Sequence, residues 1–182
     1  MSDDPVALYR RAADGAGAVM DAVTAAQLSG PTPCTEWTVQ DLIDHMVGST
    51  DYLVAALVGA TPTPRSGATA ADFHAGASAV RDGLGEIGAL DRMCMSPLGF
   101  EWSLGQATAG TFMDTLLHTW DLASATGQDA TMDPELVDAC IVMFLPDMPE
   151  RGRAGGIVGA EVRVPADASP QTRLLGAMGR RG

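Results

Sequence analysis

Residues 69–88 read TAADFHAGASAVRDGLGEIG, and the spacing of their apolar side chains sets the fold class. These side chains recur at steps of four, three, four and three: Phe73, Ala77, Val80, Leu84 and Ile87. The spacing is that of an α-helix with one apolar face. Thr69, followed three residues later by Asp72, provides the signal for a helix start. Because a helix with such a face must bury it, the segment predicts a bundle of helices.

Three further segments share this period and have capping residues of their own. Helices are predicted over four ranges: 5–28, 38–58, 69–88 and 104–126. Residues 91–102 are interpreted as a loop or short hairpin, residues 160–164 as an extended piece, and helices are predicted from Pro134 and Pro170. We therefore predict an all-α protein, a four-helix bundle with short C-terminal additions and less than about a tenth of its residues in strands.

Length and charge limit the class of protein. The chain has 182 residues, 46% of them hydrophobic, which is typical of a single compact domain over 1–182. The net charge of −12 repels phosphate groups, so neither nucleic acid nor an anionic membrane surface is expected as a partner. No apolar run approaches the roughly 20 residues that span a bilayer, and the acidic N-terminus does not resemble a signal peptide. We expect a cytoplasmic protein.

Two histidines and one aspartate are the candidate functional residues. Asp114 and His118 are four residues apart, which stacks their side chains on one face of a helix. His45 lies beside the apolar positions of the helix over 38–58. Two imidazoles and one carboxylate with an open fourth position are ligands typical of catalytic zinc, and similar sites hold iron, nickel or manganese.

Spacing alone leaves two interpretations of these residues open. Either His45, Asp114 and His118 bind a divalent metal, or Asp114 and His118 form a surface pair and His45 is a core histidine. Asp121 is three residues after His118 and could orient its imidazole from behind. His74 is predicted at a solvent-facing position outside the site.

The cysteines are predicted to be structural thiols that bind no metal. They are far apart in the chain and lack the spacing of zinc ligands. The three are Cys34, Cys94 and Cys140.

Three blocks of sequence, in order, resemble a known family. They are residues 33–46 (PCTEWTVQDLIDHM), 118–127 (HTWDLASATG) and 162–180 (VRVPADASPQTRLLGAMGR). With them the chain resembles the DinB-like, mycothiol-dependent maleylpyruvate isomerase N-terminal family, in its short actinobacterial metal-binding branch. The resemblance extends over nearly the whole chain.

The resemblance implies a DinB-like four-helix bundle with a divalent metal, usually zinc, held at one end. Carried over by position, the ligands fall on His45, Asp114 and His118, the middle ligand being Glu or His in relatives. The resemblance also implies a thiol of the mycothiol type as cosubstrate. Zinc is therefore expected first, and nickel, manganese or iron are alternatives.

The leading hypothesis is a metal-dependent S-transferase or isomerase that uses such a thiol. Coordination would lower the pKa of the thiol, whose sulfur then attacks an electrophilic carbon. Two alternatives stay open: a non-catalytic metal-binding bundle of interaction type, and a metal-dependent hydrolase that activates water. The expected partners are a small-molecule thiol and an electrophile, and a homodimer is an open alternative.

Overall fold

The computed structural model describes residues 4–182 and is predominantly helical, which confirms the predicted all-α class. In this part of the chain the α-helices are α1 Pro5–Asp21, α2 Val39–Val58, α3 Ala70–Leu84, α4 Leu104–Thr126, α5 Pro134–Phe144, α6 Met148–Ala154 and α7 Pro170–Ala177. The strands described are β1 Met93–Met95 and β2 Glu101–Ser103, which pair antiparallel. None of the described helices is long and apolar enough to cross a bilayer.

The chain divides into two compact units. The first contains α1–α4 and the β1–β2 hairpin and ends at Ala130, and the second begins at Thr131 and contains α5–α7. The single domain over 1–182 stays a prediction.

In the first unit, α1 packs against α3 and α4, and α2 packs against the same two helices. This arrangement closes a four-helix bundle, as predicted. Each helix contributes large side chains that are fully buried in the core, among them Tyr9, Leu42, Phe73, Phe112 and Leu122.

The helix boundaries follow from capping chemistry. Three helices begin with reciprocal side-chain and backbone hydrogen bonds in capping boxes: Thr38 with Asp41, Thr69 with Asp72, and Ser103 with Gln106. α2 and α4 end at Gly59 and Gly127, whose φ angles of 68° and 70° are left-handed and suit glycine. The predicted bounds of α2 and α4 are confirmed.

Two predicted helices are shorter than expected. α1 ends at Asp21 because Thr24 is extended and its backbone N–H bonds the Gln27 side chain 2.8 Å away, which starts a separate 3-10 turn. α3 ends at Leu84, and Gly88 is left-handed with φ 74°. Ile87 is therefore fully exposed and does not belong to the buried stripe.

Residues 91–102 form most of a hairpin, one of the two structures predicted for them. The hairpin packs against α2 and α4. The Trp102 Nε1–H donates to Tyr52 Oη at 2.6 Å, and that hydroxyl donates to the Met95 carbonyl at 3.0 Å. The Trp102 ring also packs on α4 at Gly110, where an added Cβ would lie 3.1 Å from it. This contact lies one helical turn before Asp114.

In the second unit, α5 packs against α7. α5 and α7 begin at the predicted prolines, Pro134 and Pro170. α6 was not predicted. Residues 160–164 form no strand, although the Val162 N–H donates to the Gly176 carbonyl at 2.9 Å.

Candidate metal centre

The packing of α2 against α4 brings the three candidate metal ligands together. His45 Nε2 lies 3.2 Å from Asp114 Oδ1, and His118 Nε2 lies 3.3 Å from the same oxygen. One ligand atom from each of the three residues lies within 4.8 Å of the other two. The structure thus places side by side the residues that the sequence singled out, and metal binding by them stays a prediction.

Two of the three donor separations are close to those of tetrahedral zinc ligands. Nitrogen and oxygen ligands about 2.0–2.1 Å from a tetrahedral zinc lie about 3.3–3.4 Å from each other. The two measured separations involving Asp114 Oδ1, 3.2 and 3.3 Å, match this spacing. Two neutral imidazoles and one carboxylate would also leave a fourth position open. The residues present therefore fit a catalytic divalent-metal site.

Asp121 holds the His118 ring from the opposite side. His118 Nδ1 lies 2.9 Å from Asp121 Oδ2, and the Asp121 side chain is completely buried. Donation from Nδ1–H leaves Nε2 facing Asp114, as a metal ligand must. Without a proton or a cation between them, the Nε2 lone pair and the Asp114 carboxylate would repel each other. The predicted contact of Asp121 with His118 is confirmed.

Ser49 orients the Asp114 carboxylate. The Ser49 hydroxyl donates to Asp114 Oδ2 at 2.8 Å, so that Oδ1 is the oxygen turned toward both imidazoles. Ser49 is four residues after His45 and therefore lies on the same face of α2. That spacing was the sequence signal for its role, but a serine on a helix face is too common to single out.

Asp114 and His118 shift each other's pKa in opposite directions. Burial raises the pKa of Asp114, but the positive charge of His118 and hydrogen bonds from both imidazoles hold it well below its usual value. Burial lowers the pKa of His118, but Asp114, helped by Asp121 and Cys34, holds it well above its usual value. Both directions favour an ion pair between a protonated His118 and an ionised Asp114 in the metal-free protein.

We expect the affinity for Zn²⁺ to rise with pH and to go on rising above about pH 6.5, the ordinary imidazole pKa. The reason is that the metal must displace the His118 proton, which the raised pKa retains to higher pH. Calorimetric titrations with zinc over a series of pH values measure this. An affinity that levels off below pH 6.5 would contradict a raised pKa for His118.

The same shifts define a stability window for the metal-free protein. The raised pKa of His118 stabilises the fold below about pH 6.5, and this contribution disappears as pH rises through the folded-state pKa. The lowered pKa of Asp114 stabilises the fold above about pH 3.9 and is lost as pH falls through the folded-state pKa. Urea unfolding with chelator present should show the ion pair's contribution between these limits.

The loop between α1 and α2 supplies two side chains that the sequence analysis did not place at the site. The Trp37 ring centroid lies 4.9 Å from that of His45 and 5.9 Å from that of His118. Cys34 Sγ lies 3.3 Å from Asp121 Oδ2 and 3.7 Å from His118 Nδ1. Cys34 therefore lies beside His118 and Asp121, which its spacing in the chain did not indicate, and that it binds no metal stays a prediction. The signal was its position with Trp37 and His45 in the block 33–46.

This loop is held in a tight turn. Thr32 Oγ1 lies 3.1 Å from the carbonyl oxygens of Cys34 and Trp37, and the Trp37 N–H donates to the Cys34 carbonyl at 3.1 Å. Glu36 has φ 69°, a left-handed conformation that is strained in residues other than glycine. Such strain occurs where a loop is fixed to present neighbouring side chains.

His74 and the other cysteines lie elsewhere. His74 is about half exposed and pairs with Asp21 at 3.1 Å, in agreement with its predicted solvent-facing position. Cys94 Sγ lies 3.5 Å from the Tyr52 hydroxyl. Cys140 is buried, and burial raises the pKa of its thiol to about 12.

Comparison with known proteins gives two similarities. The family model for the mycothiol maleylpyruvate isomerase N-terminal domain matches residues 9–86, which include His45. Two uncharacterized proteins of Mycobacterium tuberculosis, one each from strains CDC 1551 / Oshkosh and ATCC 25618 / H37Rv, are 34% identical over 180 residues. Each alignment covers 97% of this chain and 98% of the relative. No solved structure matches the chain.

Proposed function

Because the chain belongs to the family of the mycothiol maleylpyruvate isomerase N-terminal domain, we propose that it is a divalent-metal-dependent enzyme of thiol chemistry. It would join a low-molecular-weight thiol of the mycothiol type to an electrophilic carbon, as an S-transferase or isomerase. The observation that supports this most directly is the convergence of His45 Nε2, His118 Nε2 and Asp114 Oδ1 with the spacing of zinc ligands.

The chain's own residues provide the binding and orientation that this chemistry needs. His45 and His118 would hold the metal through Nε2 and Asp114 through its carboxylate, with zinc favoured and nickel, manganese or iron as alternatives. Ser49 fixes the carboxylate and Asp121 the tautomer of His118. When bound, a divalent cation supplies a positive charge and an open coordination position, which lower the pKa of an incoming thiol.

Aromatic side chains flank the centre on two sides. Trp37 lies against both imidazoles, with its ring tilted toward each of theirs. In the other direction along α2 and α4, Tyr52 is one turn beyond Ser49, and the Trp102 ring packs on Gly110 one turn before Asp114. An electrophile with an apolar body is the substrate class that suits a site flanked by these aromatic side chains.

The test is thiol-dependent loss of an electrophile. Metal-loaded protein is incubated with mycothiol and, in turn, an activated alkene, an epoxide and an aryl halide, each with an apolar body. We expect loss of at least one electrophile that requires both thiol and metal, and that disappears with chelator and in Asp114→Asn. Asp82→Asn, which changes an exposed carboxylate of α3, is the matched control and should retain the activity.

The alternatives give different results in the same assay. Hydrolysis of an ester or amide probe without thiol would identify a metal-dependent hydrolase. Stoichiometric metal binding with no turnover of any electrophile would contradict the transferase and favour a non-catalytic metal-binding protein.

A further inference from the structure

A second group of metal-binding side chains lies on the far side of the His118 ring. It consists of Cys34, His118 and Asp121, whose ligand atoms all lie within 4.8 Å of one another. Cys34 Sγ is 3.7 Å from His118 Nδ1 and 3.3 Å from Asp121 Oδ2, and the nitrogen and oxygen are 2.9 Å apart. The group uses Nδ1 of His118, whereas the site described above uses Nε2.

These separations agree with one tetrahedral cation. With zinc–sulfur bonds of about 2.3 Å and zinc–nitrogen or zinc–oxygen bonds of about 2.0–2.1 Å, sulfur lies about 3.5–3.6 Å from the other ligands, which are about 3.3–3.4 Å apart. The measured distances lie within about 0.5 Å of these values. The two sulfur separations are already within about 0.3 Å of the expected values, and the nitrogen and oxygen would have to move apart by about 0.4–0.5 Å.

The charges around His118 favour a second cation. Two carboxylates, Asp114 and Asp121, contact one imidazole, and the Asp121 side chain is completely buried. A buried carboxylate is costly unless a positive charge compensates it, and a bound cation would take over this role from the protonated His118 ring. Cys34 adds a third group that can become an anion, and it is only partly buried, so one member of the group reaches solvent.

We propose that Cys34, His118 and Asp121 form a second divalent-cation site, which a thiophilic ion such as zinc or cadmium would occupy. On binding, the Cys34 thiol and His118 Nδ1 each release a proton to solvent, and Asp121 contributes an ionised carboxylate. When the first site is also occupied, the Nε2 proton is released to solvent as well, and His118 would bridge the two cations as an imidazolate. This second site goes beyond the proposed function and requires neither His45 nor Asp114.

The test is a Cd²⁺ titration of the metal-free full chain. Equilibrium dialysis counts the bound ions, and ultraviolet charge-transfer absorption reports a cadmium–thiolate bond. We expect two ions with the absorption band in the wild type, one ion without the band in Cys34→Ser, and one ion with the band in His45→Ala. Cys94→Ser, the control for another partly buried thiol, should behave as the wild type.

Three results would overturn the second site. They are a wild type with no band, a band that survives in Cys34→Ser, and a band lost in His45→Ala although that variant is folded by circular dichroism. The last result would make Cys34 a ligand of the first site, and Asp114→Asn repeats the test if His45→Ala does not fold. A Cys34→Ser protein that binds no cadmium would contradict the first site alone, so the two proposals fail separately.

Discussion

Replacing His118 with alanine is expected to lower the affinity for zinc by more than about a hundredfold. Removing a residue that merely supports a ligand typically costs about 10–100-fold, and His118 is itself a ligand in our account. It also contacts Asp114, the other ligand on α4, so its loss leaves that carboxylate without its strongest partner. Competition with a chromophoric chelator measures the affinity.

His74→Ala is the matched control, because it removes the imidazole of an exposed histidine on α3. It should bind zinc as the wild type does. Equal loss of zinc in both variants would mean that the histidines act through the fold rather than as ligands. A His118→Ala protein with unchanged affinity would contradict the site.

Replacing Phe73 with alanine is expected to destabilise the metal-free protein by about 3–5 kcal/mol. Phe73 is fully buried in the first unit, so the truncation leaves a cavity in the bundle core. Ile87→Ala removes an apolar side chain near the end of the same segment, but Ile87 is fully exposed and should change stability by less than about 0.5 kcal/mol. Urea unfolding of both variants with chelator present measures the difference.

The same measurements separate the contribution of the apolar core to stability from that of the bound metal. The apolar stripes supply the core, so the wild type should stay folded when chelator removes the metal. Its melting temperature should nevertheless fall, because a bound ligand stabilises the folded state by mass action. If Ile87→Ala were as damaging as Phe73→Ala, residue 87 would belong to a buried helix, contrary to the structure. Unfolding of the wild type by chelator alone would show that the metal is structural.

The helices that could be predicted from sequence are those whose ends are determined locally. Thr38 and Ser103 cap α2 and α4 through residues three positions away, and both helices end where glycine adopts a left-handed backbone. Ile87 matched the apolar period by coincidence, because α3 already ends at Leu84, three residues before it. Apolar spacing therefore identified the buried face of α3 correctly but did not locate its end.

The candidate site, like the helices, could be predicted from the sequence only where local geometry determines it. Asp114 and His118 are one turn apart on one helix, so their proximity follows from helix geometry. His45 was a candidate from its place beside the apolar positions of another helix, and the family resemblance then implied all three residues as ligands. The positions of Cys34 and Trp37 depend on a loop held by Thr32 and by a left-handed Glu36, which are features of tertiary structure. Spacing along the chain carries no information about which face of His118 such a loop covers.

The central claim is that His45, Asp114 and His118 hold one divalent cation. Its most direct test is anomalous diffraction at the zinc absorption edge, from crystals of protein purified without an affinity tag and supplied with zinc. We predict an anomalous peak about 2.0–2.2 Å from His45 Nε2, His118 Nε2 and a carboxylate oxygen of Asp114. A crystal supplied with zinc that shows no anomalous peak within bonding distance of these three atoms would contradict the account.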